Sequence, residues 1–106
     1  MNLNTFERLT LLNILPREGN IATLKIVREL NERVSFTAEE HERLKLTFSE
    51  DGTSVRWDRS QDKEVEFTFN GVEMKMIVSK LEELNRAEKL TAEHLSLYEK
   101  FCEGEG

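Results

Sequence analysis

The stretch from Asn70 to Leu90 constrains the fold most, because it carries the longest uninterrupted helical pattern in the chain. Its apolar residues recur at intervals of three or four and form one stripe: Met74, Ile77, Val78, Leu81 and Leu84. Asn70 and Glu73 form a capping box at its start. A helix of about 19 residues spans roughly 28 Å, so we expect it to act as a spine on which other elements pack.

The first helix is predicted from a cap and from the proline that ends it. Asn4 or Thr5 caps this helix, and Glu7 completes a box with Asn4. Pro16 disfavours helical geometry in the residue before it. Apolar residues cover much of the circumference: Phe6, Leu9, Leu11, Leu12, Ile14 and Leu15. Such a helix is either sandwiched in the core or partly buried against another chain.

Three further helices carry similar signals. After a turn at Gly19 and Asn20, a second helix places four apolar residues on one face: Leu24, Val27, Leu30 and Val34. A capping box of Thr37 and Glu40 starts a short helix. Thr91 caps the last helix. We expect its apolar face to comprise Leu95, Tyr98 and Cys102, with Phe101 beside them.

Between residues 44 and 69 the apolar period falls to two, which is typical of β-strands. Three alternating sets are present: Leu44, Leu46 and Phe48, then Val55 and Trp57, then Val65, Phe67 and Phe69. Asp51 and Gly52 form a hairpin turn between the first two sets. These residues predict a two- or three-stranded antiparallel meander with one apolar face.

Together these elements predict one helix-dominated α+β domain over residues 1–102, with the meander packed on the long helix. The predicted helices cover residues 4–15, 20–34, 37–44, 70–89 and 91–102, and the predicted strands cover 45–49, 54–58 and 64–69. Residues 103–106 are expected to form a frayed tail. A chain of 106 residues is long enough to bury one hydrophobic core.

Charge and cysteine content narrow the function classes. The 15 Lys and Arg and 21 Asp and Glu give a net charge of −6 that is spread along the chain, with no basic stripe. Direct nucleic-acid binding is therefore not expected, because it needs clustered positive charge. Cys102 is the single cysteine, which excludes an intramolecular disulfide and fits a reducing compartment. With no leader pattern and no apolar run of about 20 residues, we expect a cytoplasmic protein without membrane contact.

Motifs that carry catalysis do not occur in the sequence. The glycines form no phosphate-binding loop, and neither a CxxC motif nor a histidine pair at metal-ligand spacing is present. His41 lies among glutamates, a pattern typical of a solvated helix face, and His94 suits a capping role. Cys102 is interpreted as a structural thiol. We therefore predict that the protein is not an enzyme and has no catalytic residues, cofactor or metal.

Four residues are candidates for an interface. Trp57 is flanked by Arg56, and interface hot spots favour Trp, Tyr and Arg. The alternative is that Trp57 is a large core residue in phase with Val55 on the inner face of the meander. The same two interpretations apply to Tyr98 and Phe101.

Several segments resemble small uncharacterised phage- and prophage-encoded proteins. The resemblance lies in the run from Lys89 to Phe101, the turn 14–19, the cap 36–40 and the segment Val55-Arg-Trp-Asp58. It covers nearly the whole chain in order, as one domain. It implies an accessory phage-type protein and carries over no known active site.

The function we predict is that of a non-enzymatic protein-interaction module, derived from a phage or prophage. Its partner is another protein or a second copy in a homodimer, because a wide apolar stripe often completes its burial across a symmetric interface. One alternative is an acidic decoy that inhibits a nucleic-acid-binding host protein, and another is a virion assembly component.

Overall fold

The described part of the chain, residues 1–51 and 54–103 of a computed structural model, folds into five α-helices and four two-residue strands. The helices are α1 (Thr5–Ile14), α2 (Ile21–Val34), α3 (Ala38–Leu44), α4 (Gly71–Arg86) and α5 (Ala92–Cys102). The strands are β1 (Asn2–Leu3), β2 (Thr47–Phe48), β3 (Val55–Arg56) and β4 (Val65–Glu66), with a 3₁₀ turn at Arg59–Gln61. The predicted helix-dominated α+β class is confirmed. Of the expected tail, residues 104–106 lie outside the described range.

Side-chain caps begin the helices where the sequence predicts them. Capping boxes at α1, α3 and α4 pair Asn4 with Glu7, Thr37 with Glu40 and Asn70 with Glu73. In each box the first side chain accepts the backbone N–H of the glutamate, and the glutamate accepts the N–H of the capping residue. The α4 helix ends at Arg86, earlier than the predicted residue 89, and Glu88 then adopts a positive φ of 55°.

The strands do not form a three-stranded meander. Strands β2 and β3 make the predicted antiparallel pair, with Phe48 opposite Val55. The predicted turn between them includes Gly52, which lies outside the described residues. Strand β4 instead pairs with β1, and the N–H of Phe67 donates to the carbonyl of Met1 at 2.8 Å. The third strand thus joins a separate two-stranded sheet with the start of the chain.

Helix α5, rather than the longer α4, packs on two other helices, α1 and α4. The central helix is therefore α5, and not α4 as expected from the sequence. The buried face of α5 also differs from the predicted one. Leu97 and Phe101 are buried, whereas Leu95 is 59% exposed. The cause is that residues four apart on α5 must fill the space between two neighbours. The predicted stripe of α4 is correct, with Ile77 and Leu81 fully buried.

Two buried carboxylates join distant elements through ion pairs. Glu73 of α4 accepts two hydrogen bonds from Arg33 of α2, at 3.0 and 2.8 Å. These bonds hold the pKa of Glu73 below its ordinary value. Glu7 of α1 accepts from Lys100 of α5 at 2.8 Å and from the hydroxyl of Ser96.

Within residues 1–51 and 54–103, no helix is both long and apolar enough to cross a membrane.

Candidate functional site

An open groove of about 620 Å³ lies between α1, the segment that connects α2 to α3, and the β2–β3 hairpin. We call it the α1 groove. Aromatic and aliphatic side chains line it, chiefly Phe6, Leu9, Leu12, Phe36, Phe48 and Trp57. Phe48 is 54% exposed, and the other five are half-buried. The groove therefore combines these apolar side chains with polar and charged ones, in a concave surface that the described part of the chain leaves open.

The groove exists because α1 has two apolar faces. Leu11 and Ile14 point into the core and are almost fully buried. Phe6, Leu9 and Leu12 repeat at a spacing of three and therefore share a different side of the helix. The apolar circumference predicted from the sequence thus divides into a core face and a groove face. The first is covered within the chain, and the second lines the groove.

Trp57 is the single tryptophan of the chain and lines the groove. Its ring stacks on Phe6 with centroids 6.2 Å apart, and the guanidinium of Arg59 lies 4.6 Å from the indole centroid. The indole N–H is out of solvent contact and has no acceptor among the described residues. A buried donor without an acceptor costs about 1–3 kcal/mol. Trp57 is therefore only half-buried, and its indole N–H lacks a hydrogen-bond acceptor among the described residues.

Hydrogen bonds fix the chain on the C-terminal side of Trp57. The N–H of Asp58 donates to the carbonyl of Leu44 at the end of α3, at 2.7 Å. Farther along, a carboxylate oxygen of Asp62 accepts from both the N–H and the hydroxyl of Thr5, at 3.1 and 2.6 Å. The segment that carries Trp57 is thus attached to α3 and to the start of α1.

The opposite wall is held by Arg8, whose side chain is 3% exposed. Arg8 donates to the carbonyls of Val34 and Ser35 at 3.1 and 3.0 Å and to Glu40 at 2.6 and 3.1 Å. Its guanidinium lies 4.0 Å from the ring centroid of Phe36. The hydrogen bonds from Arg8 lower the pKa of Glu40 to about 2. Arg8 thereby positions the Ser35–Phe36 segment that lines the groove.

The charged residues that line the groove are mostly basic. Arg17, Arg59, His41 and Glu93 are all exposed. With a neutral histidine, two arginines and one glutamate give a local charge of +1 on a chain whose net charge is −6. Neither arginine forms an ion pair with a described residue. This sign is opposite to that of the protein as a whole.

The structure separates the four candidate interface residues. Trp57 lines the groove, whereas its neighbour Arg56 is exposed on β3 and does not line it. Phe101 is a core residue, 5% exposed and 5.5 Å from the ring centroid of Phe69, so it presents no surface to a partner. Tyr98 is half-buried against the same core. Both residues lie on the part of α5 that packs toward the core formed with α1 and α4.

The other groove residues were not among the candidates from the sequence. The sequence places Phe6 and Leu9 in an apolar helix without dividing that helix into faces, although their spacing of three carries that signal. Phe36 precedes a cap and Phe48 lies in a weak strand, and neither position alone indicates a shared surface. They meet only because α3 and the β2–β3 hairpin pack on the same side of α1.

Both histidines make contacts within the fold, and the single cysteine is half-buried. Nδ1 of His94 accepts the N–H of Thr91 at 3.0 Å and completes a cap. His41 makes an edge contact with Phe36, with centroids 6.3 Å apart. Burial raises the pKa of the half-buried Cys102 thiol. In the part of the chain that the structure describes, no cluster of three His, Cys, Asp or Glu side chains could hold a metal ion.

Comparisons with family models, curated proteins and solved structures find no match to this chain.

Proposed function

We propose that the protein is a non-enzymatic interaction module that binds a partner protein through the α1 groove. The observation that supports this proposal is a groove walled by aromatic and aliphatic side chains, of which Phe48 is 54% exposed. Concave sites lined by apolar and aromatic side chains with a few polar groups are typical binding sites, and aromatic side chains dominate the affinity of protein contacts. Trp57, Phe6 and Phe48 supply these side chains here.

The rigidity of the groove also favours a binding role. Arg8 fixes one wall through four hydrogen bonds, and Asp58 and Asp62 attach the other wall to α3 and α1. A preformed site loses less conformational entropy when a partner binds. The backbone segments that carry Phe36 and Trp57 are thus held in place before a partner binds.

The setting that we propose is the cytoplasm, where a chain with one free cysteine stays reduced. A phage or prophage origin remains a prediction from the resemblance. The decoy hypothesis requires carboxylates that converge on one exposed face. Glu73 of α4 is buried against Arg33 and does not contribute to such a face.

A pull-down with matched variants tests the proposal. The full chain carries a tag and is incubated with lysate of its native host, at low and at high salt. Phe48→Asp places a charge in the groove, and Val72→Asp makes the same change on α4, where an apolar side chain is equally exposed (59% against 54%). We expect one stoichiometric partner that binds the wild type and Val72→Asp and is lost with Phe48→Asp.

Equal recovery by both variants would refute the groove as the binding surface. Circular dichroism of each variant checks that the fold is kept. A partner that binds nucleic acid and elutes from every variant as salt rises would favour the decoy instead.

A further inference from the structure

We propose that the segment that occupies the α1 groove is acidic: a stretch of the partner protein in which Asp or Glu flanks a bulky apolar side chain. This inference rests on the proposed function and adds the chemistry of the partner.

The first argument is charge complementarity. The groove is lined by Arg17 and Arg59 against one carboxylate, that of Glu93, on a protein whose net charge is −6. Two other arginines form ion pairs with glutamates of the same chain: Arg8 with Glu40 at 2.6 Å, and Arg33 with Glu73 at 2.8 Å. Arg17 and Arg59 form no such pair among the described residues.

The second argument is the position of Arg59. Its contact with the face of Trp57 holds the guanidinium at the groove wall. Its side-chain N–H groups donate to no described acceptor, so two of them are available to bind a carboxylate side by side. A basic segment would instead face repulsion from both groove arginines.

The third argument is the indole N–H of Trp57, which lacks an acceptor among the described side chains and carbonyls. Carboxylate oxygens only accept hydrogen bonds, so an acidic segment supplies what this donor needs. Because the N–H is out of solvent contact, a neighbouring side chain must shift before an occupant reaches it. We therefore expect binding to change the fluorescence of this single tryptophan.

Peptide selection tests the chemistry of the occupant directly. A displayed library of random 12-residue peptides is selected on the immobilised full chain, and the selected pool is then tested for binding to Phe48→Asp. We expect the selected pool to be enriched in Asp and Glu beside Phe, Leu or other bulky apolar residues. The best peptide is then synthesised and titrated, with Trp57 fluorescence as the readout.

Charge variants locate the contact. Arg59→Gln and Arg17→Gln are each expected to weaken binding about fivefold, in line with a partly exposed ion pair. The matched control is Arg56→Gln, an exposed arginine on the neighbouring strand that does not line the groove, and we expect less than a twofold change. Replacement of the peptide's Asp and Glu by Asn and Gln is expected to weaken binding at least tenfold.

The outcomes separate this inference from the proposed function. A groove-dependent pool that is neutral or basic would overturn the acidic partner and leave the interaction module in place. A pool that binds Phe48→Asp equally well would count against both. A wild-type dimer in sedimentation that Phe48→Asp dissociates would assign the groove to a second copy and overturn the acidic segment.

Discussion

Replacing Glu40 by glutamine tests whether the Arg8–Glu40 pair holds the groove wall, because the change removes one charge and keeps the size of the side chain. The glutamine would retain one oxygen for the N–H of Thr37, which Glu40 accepts at 2.9 Å. It would lose the paired acceptance of two Arg8 donors, at 2.6 and 3.1 Å. Arg8, with a side chain 3% exposed, would remain as a buried cation without a counterion.

The magnitude follows from the pKa of Glu40. In the folded protein this pKa is about 2, against an ordinary value of 4.5. At about 1.36 kcal/mol for each pKa unit, the difference corresponds to about 3 kcal/mol of unfolding free energy. The Glu40 side chain is 13% exposed, so solvent screening reduces the expected loss to about 2 kcal/mol.

The sign of the pH dependence follows from the same values. Because the folded pKa lies below the unfolded one, the stabilisation by Glu40 is fully present above about pH 4.5 and is lost as the pH falls through about 2. We expect Glu40→Gln to be about 2 kcal/mol less stable than the wild type at pH 7. The gap should narrow toward zero near pH 2. Urea unfolding from pH 7 to pH 2, followed by far-UV circular dichroism, measures it.

The control is Glu39→Gln, which removes an exposed carboxylate from the same turn of α3. We expect its unfolding free energy to stay within about 0.5 kcal/mol of the wild type. A Glu40→Gln gap that is absent at pH 7, or that keeps its size at low pH, would refute a stabilising Arg8–Glu40 pair. The position of the Ser35–Phe36 segment would then not depend on the Arg8–Glu40 pair.

Two further predictions concern stability, and urea unfolding measures both. Lys45 ends α3 in the left-handed region at φ 53°, so Lys45→Gly should raise the unfolding free energy by about 1 kcal/mol. Lys25→Gly, within α2, should lower it by about 1 kcal/mol. A loss in both variants would contradict the backbone argument. Leu97→Ala should cost about 2–5 kcal/mol because it leaves a cavity beside α1 and α4, whereas Leu95→Ala, at a side chain 59% exposed, should cost less than about 1 kcal/mol. Equal losses in these two variants would show that the buried face of α5 has been assigned wrongly.

Local signals predicted most of the helices in this fold. A capping box needs only residues three apart, so the pairs Asn4–Glu7 and Asn70–Glu73 were recognisable in the sequence alone. The stripe of α4 was equally clear because it repeats over 16 residues. Strand pairing was less accessible. Strand β1 has only two residues and no pattern, so nothing in the sequence indicated that it would pair with β4.

The groove could be predicted only in part, because it depends on contacts between distant segments. Trp57 was a candidate from its residue type, but its stacking partner Phe6 lies near the start of the chain. The burial of Arg8 depends on Glu40, 32 residues away. For α5, a shift of one or two residues in the buried face separates the prediction from the structure, and only the positions of α1 and α4 decide it.

The packing of α5 against α1 also determines when the protein can finish folding during its synthesis. Glu7 of α1 precedes its partner Lys100 by 93 residues. At about 5–20 residues per second, the ribosome needs roughly 5–20 s to supply that partner. Until then the core face of α1 lacks the cover of α5, and the groove face is uncovered as it is in the folded domain. A chaperone that recognises apolar helices would therefore meet this nascent chain at α1, before the domain closes.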